Sequence, residues 1–231
     1  MKANPTHSTR DQAWAGQAAY NKGTLSAYDF FVLGFSNRFL WKCPTRELLT
    51  HYNSHLSANH LDVGVGTGYF LDRCRFPSSA PRVALMDMNP VSLSFAARRI
   101  ARYQPETYTQ NILRPIEQPI AHFDSVGINY LLHCLPGSLD PGDKACKAVV
   151  FSHLASLMKP GASLFGSTLL QGHGGMNRPA QALMTFYNRK GIFSNASDSL
   201  DNLKSSLEQS FCDVTITQVG CVALFSARIK K

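Results

Sequence analysis

The feature that most constrains the fold is a run of three glycines at every second position, placed between a buried strand and a helix. Gly64, Gly66 and Gly68 end the apolar stretch that begins at His60, and a helical pattern begins at Tyr69. Glycine lets the backbone turn sharply and lets a ligand approach it closely. A glycine-rich turn in this position is where nucleotide ligands bind in α/β proteins, so the segment is the first candidate for a binding site.

Strand and helix patterns alternate along the chain after residue 60. Strands are predicted over 60–65, 82–87, 108–113, 123–129 and 162–170, with a terminal hairpin over 214–218 and 222–228. Helices are predicted over 69–74, from Pro90 to about 101, and over 143–158, 179–188 and 198–210. This alternation predicts a doubly wound α/β domain, with helices on both faces of a parallel sheet and a ligand beyond the carboxyl ends of the strands.

The length of 231 residues suits one domain with an added segment, and 44% hydrophobic residues suffice for a core. We expect an N-terminal helical cap over residues 1–57 and a core over 58–231, with a lid insertion over 171–197. Apolar runs are shorter than the roughly 18 residues of a membrane span. The polar start of the chain is not typical of a secretory signal.

The six cysteines are irregularly spaced, and free thiols that pack as small hydrophobic residues are expected. This predicts a protein of the reducing cytoplasm. The eight histidines are scattered without the paired spacing of metal ligands, so no metal is expected.

An acid completes the glycine turn. Asp62 stands two residues before the first glycine, and the pattern D-x-G-x-G-x-G resembles the first motif of the class I S-adenosylmethionine (SAM) dependent methyltransferases. The resemblance extends over about residues 58–229. It implies a Rossmann-like sheet of seven strands, six parallel and the last antiparallel, which fits the terminal hairpin. It also implies SAM as cofactor, S-adenosylhomocysteine as product, and contacts to SAM from Asp62 and the three glycines.

A second acid, Asp87, ends the second predicted strand, 23 residues after the first glycine. A carboxylate here can accept both hydroxyls of a ribose. The resemblance assigns Asp87 to the ribose of SAM and places Met88 and Asn89 beside the adenine. The alternative is that Asp87 or Asn89 caps the helix that begins at Pro90.

Three more side chains are implied at the cofactor. Asn111, after the third strand, takes the place of an acid that accepts from the adenine amino group in many members, and its amide oxygen can also accept. An exposed loop position is the alternative. Asn129 and Tyr130, at the end of the fourth strand, are implied on the methionine side. The segment lacks the two prolines of the Asn/Asp-Pro-Pro-aromatic motif, which disfavours methylation of an amino group on a nucleobase or glutamine.

Two histidines are candidates for a general base. Methyl transfer is an in-line displacement, in which the enzyme aligns and desolvates the reactants. A hydroxyl or thiol acceptor also benefits from a base, and histidine suits neutral pH. His133 follows the fourth strand and His173 follows the fifth, so both are expected at the carboxyl face. For His133, packing in a turn is the alternative.

The N-terminal cap and the lid insertion are the two additions to the core, and their composition indicates the kind of substrate. They carry aromatic and methionine side chains, which suit a flat apolar acceptor, and Tyr20, Tyr28 and Trp41 are the expected contacts to it or to SAM. Because both additions are short, a small molecule is favoured over a protein. The prediction is methylation, at oxygen, of an aromatic or other natural-product metabolite of secondary metabolism by a monomer or a homodimer.

The net charge of +8 leaves a nucleic-acid methyltransferase as an alternative. Binding a phosphate backbone requires basic residues grouped on one face, whereas the arginines that cluster in this sequence flank the predicted cofactor side. A second alternative is a catalytically silent relative that binds a partner. A third, a nicotinamide oxidoreductase, is disfavoured because Tyr69 stands where the dinucleotide fingerprint requires glycine or alanine.

Overall fold

Seven strands form one sheet around which the helices pack, in a computed structural model that describes residues 29–140, 142–171 and 176–230, with side chains from residue 34. The strands are β1 (Asn59–Val63), β2 (Arg82–Asp87), β3 (Glu106–Thr109), β4 (Phe123–Asn129), β5 (Met158–Leu169), β6 (Phe211–Val219) and β7 (Val222–Ile229). Their order across the sheet is β3-β2-β1-β4-β5-β7-β6. Strands β1 to β5 are parallel, and β7 is antiparallel to its neighbours β5 and β6. The prediction of a doubly wound seven-stranded sheet with an antiparallel last strand is confirmed.

The helices of the described residues begin with a π-helical segment, Asp29–Leu40. The α-helices are α1 (Thr45–His55), α2 (Tyr69–Arg73), α3 (Pro90–Arg99), α4 (Val149–Ala155), α5 (Arg178–Arg189) and α6 (Leu200–Ser210). Short 3₁₀ turns cover Ala101–Tyr103 and Leu132–Cys134. Among the helices of the described ranges, none has both the length and the apolar character that a membrane crossing requires.

The core has one layer on each face of the sheet, because successive side chains of a strand point to opposite faces. Leu61 and Val63 of β1 pack in the layer under α4 and α6. Val83 and Leu85 of β2 pack in the opposite layer, under α1, α2 and α3. A third cluster joins Trp41 to α5 and to the ends of β5 and β7. Since β1 and β2 are covered on both faces, their ends form a rigid base for the loops that follow them.

Several predicted elements have other bounds in the structure, and β5 and β6 begin earlier than predicted, at Met158 and Phe211. The third strand lies over Glu106–Thr109, earlier than 108–113, because the Asn111 side chain accepts from the Leu113 amide and closes a turn there. The helix predicted over 143–158 covers only Val149–Ala155. A bridge between Ser138 and Cys146 uses backbone groups that the start of a longer helix would need. The division of the chain at residue 57 stays a prediction, with residues 1–28 outside the described part.

Candidate functional site

The carboxyl ends of the central strands open into a cavity of about 480 Å³. It lies beside the point where the strand order reverses between β1 and β4, the usual ligand position in doubly wound sheets. Its volume is typical of a small-molecule site. The walls are contributed by the glycine turn, the end of β2, the segments 110–113 and 129–136, Leu169 at the end of β5, and residues in the last turn of α5 and after it.

The glycine turn has a conformation that side chains rarely allow. Gly64, Gly66 and Gly68 have φ angles of +73°, +51° and +73°. A Cβ on Gly64 would lie 2.7 Å from Cδ2 of Leu131, whereas a Cβ on Gly66 would meet no atom within 4 Å. The Gly64 amide also donates to the Met86 carbonyl at 2.8 Å, which ties the turn to β2. Gly64 therefore serves close packing, while Gly66 presents open backbone beside the cavity.

Alanine at these two glycines should have different effects. Gly64→Ala is expected to lower the free energy of unfolding by about 2–4 kcal/mol, since the left-handed conformation and the overlap with Leu131 both oppose a side chain. Gly66→Ala should cost about 1–2 kcal/mol, from the backbone conformation alone. Urea unfolding of both variants measures the difference, and equal losses would contradict this description of the turn.

Asp87 ends β2 on the cavity wall. Its Oδ1 accepts from the Asn89 amide at 2.8 Å, and its carboxylate also accepts from the backbone N–H groups of Val65 and Gly66. Burial raises the pKa of Asp87 to about 6, although these hydrogen bonds lower it. The Asn89 side chain accepts from the Val91 amide at 2.9 Å and so caps α3, which leaves the Asp87 carboxylate fixed by the turn.

Asp62 is the second carboxyl group of the cavity and is 5% exposed. Burial raises its pKa to about 8, the hydroxyl of Tyr52 lowers it through a hydrogen bond, and nearby Asp87 raises it. Ionising both acids in this position is costly without a positive partner. A cationic ligand group in the cavity would offset that cost.

Other predicted residues that line the cavity with these acids are Met88, Asn89, Asn111, Asn129 and Tyr130. Asn129 Oδ1 accepts from Ser167 Oγ at 3.0 Å, and its Nδ2 is buried with no hydrogen-bond partner among the described residues. Tyr130 has a φ of +55°, a strained value for this residue type, and its hydroxyl donates to Asn37 Oδ1 at 2.9 Å. The hydrogen bond from Tyr130 to Asn37 ties the N-terminal segment to the end of β4.

His133 lines the cavity and is 3% exposed. Its Nδ1 lies 3.4 Å from both Thr168 Oγ1 and the Leu169 amide nitrogen, and its ring packs edge-on against Phe193 with centroids 4.6 Å apart. Burial lowers its pKa to about 3, so the imidazole is neutral near neutral pH. The structure therefore places His133 in the cavity wall as a neutral ring that packs against an apolar side chain.

The other predicted contacts are placed differently or not described. Trp41 is 3% exposed and does not line the cavity; its ring packs 6.5 Å from that of Phe193, behind the wall. Tyr20, Tyr28 and His173 lie outside the described residues. Among the residues described, no group of three His, Cys, Asp or Glu side chains is arranged to hold a metal ion.

One wall of the cavity was not predicted from the sequence. It is apolar, and its members come from three distant segments: Leu135, Pro136, Leu169, Tyr187, Ile192 and Phe193. The aromatic content of the lid insertion was the available signal for Tyr187 and Phe193. The others carry no motif, because only the fold brings the end of β5 and the segment after β4 to the same place.

Comparison with known proteins gives consistent matches. Residues 61–164 match a family model described as a methyltransferase domain. The chain is 36% identical over 221 residues to demethylluteothin O-methyltransferase of Streptomyces thioluteus, covering 96% of this chain and 94% of that protein. It is 34% identical over 214 residues to the physcion biosynthesis cluster O-methyltransferase of Aspergillus chevalieri, covering 92% and 94%.

A solved structure supports the fold. The N-methyltransferase NodS from Bradyrhizobium japonicum WM9, in complex with S-adenosylhomocysteine, matches with a TM-score of 0.59 and 14% identity. The match covers 90% of this chain and 98% of that one. At this identity the likeness shows a shared Rossmann-like architecture.

Proposed function

The chain belongs to the class I SAM-dependent methyltransferases that act on small molecules, and from this premise we propose that it methylates a hydroxyl group of a flat, largely apolar natural product. The observation that carries the proposal is a single cavity with two chemically different walls. One wall presents Asp62, Asp87 and the glycine turn, and the other is the apolar wall of Leu169, Tyr187 and Phe193 with its neighbours.

The polar wall fits SAM, which supplies a methyl group on a positively charged sulfur when bound. Asp87 is oriented by backbone amides and suits the two ribose hydroxyls, with open backbone at Gly66 beside it. Asp62 suits the ammonium group, and the unpartnered Nδ2 of Asn129 suits the carboxylate of the same amino acid portion. We assign supporting contacts to Gly64, Met88, Asn89, Asn111 and Tyr130, which line the cavity, whereas Gly68 packs closely against Ala96 of α3.

The apolar wall suits the acceptor. Aromatic and branched side chains contact a flat ring system with little loss of side-chain freedom, and they exclude water from the reacting atoms. Alignment of the acceptor oxygen and exclusion of water are the main contributions of a protein to an in-line methyl transfer. Both named relatives are O-methyltransferases, which supports oxygen as the acceptor atom.

The nucleic-acid alternative receives no support from the basic residues that raised it. Arg99 and Arg102 pair with Asp72, at 3.1 Å and 2.8 Å, on the outer side of α2 and α3. Arg82 pairs with Glu106 at 2.7 Å, at the amino end of β2.

We place the reaction in the cytoplasm and in secondary metabolism, in keeping with six free cysteines and with the two relatives.

A labelling experiment tests the proposed function. The purified protein is incubated with methyl-labelled SAM and an extract of the source cell, and the labelled species is identified by mass spectrometry. We expect a methoxy group on a small aromatic or polyketide-like metabolite, absent when the variant Asp87→Asn is used. Label in RNA or protein, or on a nitrogen atom, would contradict the proposal.

His133 is expected to contribute little as a base. Because its pKa is lowered to about 3, a proton removed from the acceptor would be held weakly. His133→Asn should therefore lower kcat by less than about tenfold, since general bases typically contribute about 100-fold or more. Turnover at saturating SAM measures this loss. His173→Gln, at the other candidate base, is measured in the same way. A loss of about 100-fold in His133→Asn at unchanged melting temperature would restore His133 as the base.

A further inference from the structure

A buried hydrogen-bonded chain connects Asp62 with the amino ends of the strands. The Tyr52 hydroxyl, on α1, lies 2.9 Å from Nε2 of His60 and close enough to the Asp62 carboxyl to lower the pKa of that group through a hydrogen bond. Nδ1 of His60 lies 2.8 Å from Ser125 Oγ, which accepts from the Ser57 amide at 3.0 Å. Tyr52, His60 and Ser125 are fully buried. Four side chains from three elements thus form one chain that ends at the cavity.

When Asp62 is ionised, as it is opposite an ammonium group, the chemistry of the groups sets the direction of this chain. An ionised Asp62 can only accept, so Tyr52 donates to it and must itself accept from His60. Burial keeps His60 neutral, with a pKa lowered to about 3, and opposite an ionised Asp62 its single proton is on Nε2. Nδ1 then accepts from the Ser125 hydroxyl. In this state every hydrogen bond from Ser125 onward is directed towards Asp62.

Aromatic packing holds the rings of this chain in place. The Tyr52 ring stacks on Phe70 with centroids 5.5 Å apart and packs edge-on against Phe165 at 5.1 Å. The His60 ring stacks on the same Phe165 at 5.6 Å. Neither hydroxyl nor imidazole can turn away without disturbing the layer of the core under α1. The orientation of the Asp62 carboxylate is therefore set by residues that do not reach the cavity.

We propose that Tyr52, His60 and Ser125 are positioning residues that hold the Asp62 carboxylate towards the ammonium group of SAM. The inference rests on the proposed function, in which Asp62 contacts the amino acid portion of the cofactor. It gives α1, a helix before the glycine turn in the chain, a part in cofactor binding that acts through Asp62.

The charged and titratable groups that face Asp62 determine the pH dependence. They are Tyr52 from α1, Asp87 from β2, Cys74 after α2 and His60 on the same strand, while β4 contributes only backbone. Burial and Asp87 raise the pKa of Asp62 to about 8, and the Tyr52 hydroxyl opposes them. Without that hydroxyl the pKa rises further. Less of Asp62 is then ionised at pH 7, and a higher pH restores the ionised form.

The variant Tyr52→Phe keeps the ring and removes only the hydroxyl, and two ligands separate the possible effects. S-Adenosylhomocysteine carries the ammonium group, whereas 5′-methylthioadenosine has the same adenosine and thioether without the amino acid portion. By calorimetry at pH 7 we expect about tenfold weaker binding of S-adenosylhomocysteine to the variant, and 5′-methylthioadenosine affinity within about twofold of wild type. The loss of S-adenosylhomocysteine affinity in the variant should be smaller at pH 9. Each affinity is compared with that of the wild type at the same pH, so titration of the ligand's own groups does not affect the comparison. Tyr103→Phe, remote from Asp62, should change neither affinity.

Equal losses for both ligands, or no loss for either, would overturn the proposal. If the wild-type protein itself binds S-adenosylhomocysteine no more tightly than 5′-methylthioadenosine, the assignment of Asp62 to the ammonium group fails, and the role of Tyr52 fails with it. If Tyr52→Phe does not fold, Ser125→Ala is measured in its place. Its expected effect is a two- to threefold loss confined to S-adenosylhomocysteine, and a loss shared by both ligands contradicts the proposal.

Discussion

Replacing Asp87 with asparagine is expected to weaken the binding of S-adenosylhomocysteine by about 100-fold, because the ribose loses a charged acceptor for its two hydroxyls. Asparagine has the same shape, so the sheet should fold normally. Its NH₂ group, however, cannot accept from the amides of Val65 and Gly66, which now bond the carboxylate. The turn and the ligand are therefore affected together. Calorimetric titration with S-adenosylhomocysteine measures the loss.

Asp124→Asn is the matched control for this prediction. Asp124 lies at the amino end of β4, on the opposite edge of the sheet, where it pairs with Lys159 at 3.1 Å. Its replacement should leave the affinity within about twofold of wild type, since exposed ion pairs contribute little. A loss of less than about threefold in Asp87→Asn would mean that the ribose is held elsewhere.

Replacing Lys147 with methionine is expected to lower the free energy of unfolding by about 3–5 kcal/mol, the usual cost of leaving one charge of a buried pair without its partner. The side chains of Lys147 and Asp198 are 0% exposed, and Nζ lies 2.6 Å from Oδ2. Nζ also donates to the carbonyls of Ser194 and Leu135. The pair thereby joins two segments that form the apolar wall. Urea unfolding measures the loss.

The double variant Lys147→Met/Asp198→Asn separates the charge from the packing. It should be more stable than Lys147→Met alone, because no uncompensated carboxylate remains. In the single variant, the buried Asp198 carboxyl has no positive partner, so its pKa is raised above the value in the unfolded chain. The stability is then highest below the unfolded pKa and falls as the pH rises through the folded one. A single variant as stable at pH 8 as at pH 5 would contradict this account of the pair.

The sequence predicted those parts of the site that depend on neighbouring residues. The glycine turn between β1 and α2 and the position of Asp87 at the end of β2 both follow from local patterns, and the structure places them as expected. The same local pattern includes Asp62, two residues before Gly64. Glycine spacing and strand periodicity are properties of a few consecutive residues, so they are visible without the fold.

The remaining features arise from contacts between distant residues. The bridge between Ser138 and Cys146 shortens the helix predicted over 143–158. Tyr52 meets Asp62 only because α1 packs on the sheet, where the Tyr52 ring contacts His60 and Phe165. The apolar wall likewise joins segments that are separate in the sequence. Such contacts depend on tertiary packing, which overrides local propensity and leaves no local pattern.

A crystal structure with S-adenosylhomocysteine tests most directly whether this cavity is the methyl-transfer site. The expected result has both ribose hydroxyls on the Asp87 carboxylate and the amino group near Asp62. The sulfur should face the apolar wall of Leu169, Tyr187 and Phe193. A ligand bound outside the cavity, or a ribose turned away from Asp87, would contradict the account.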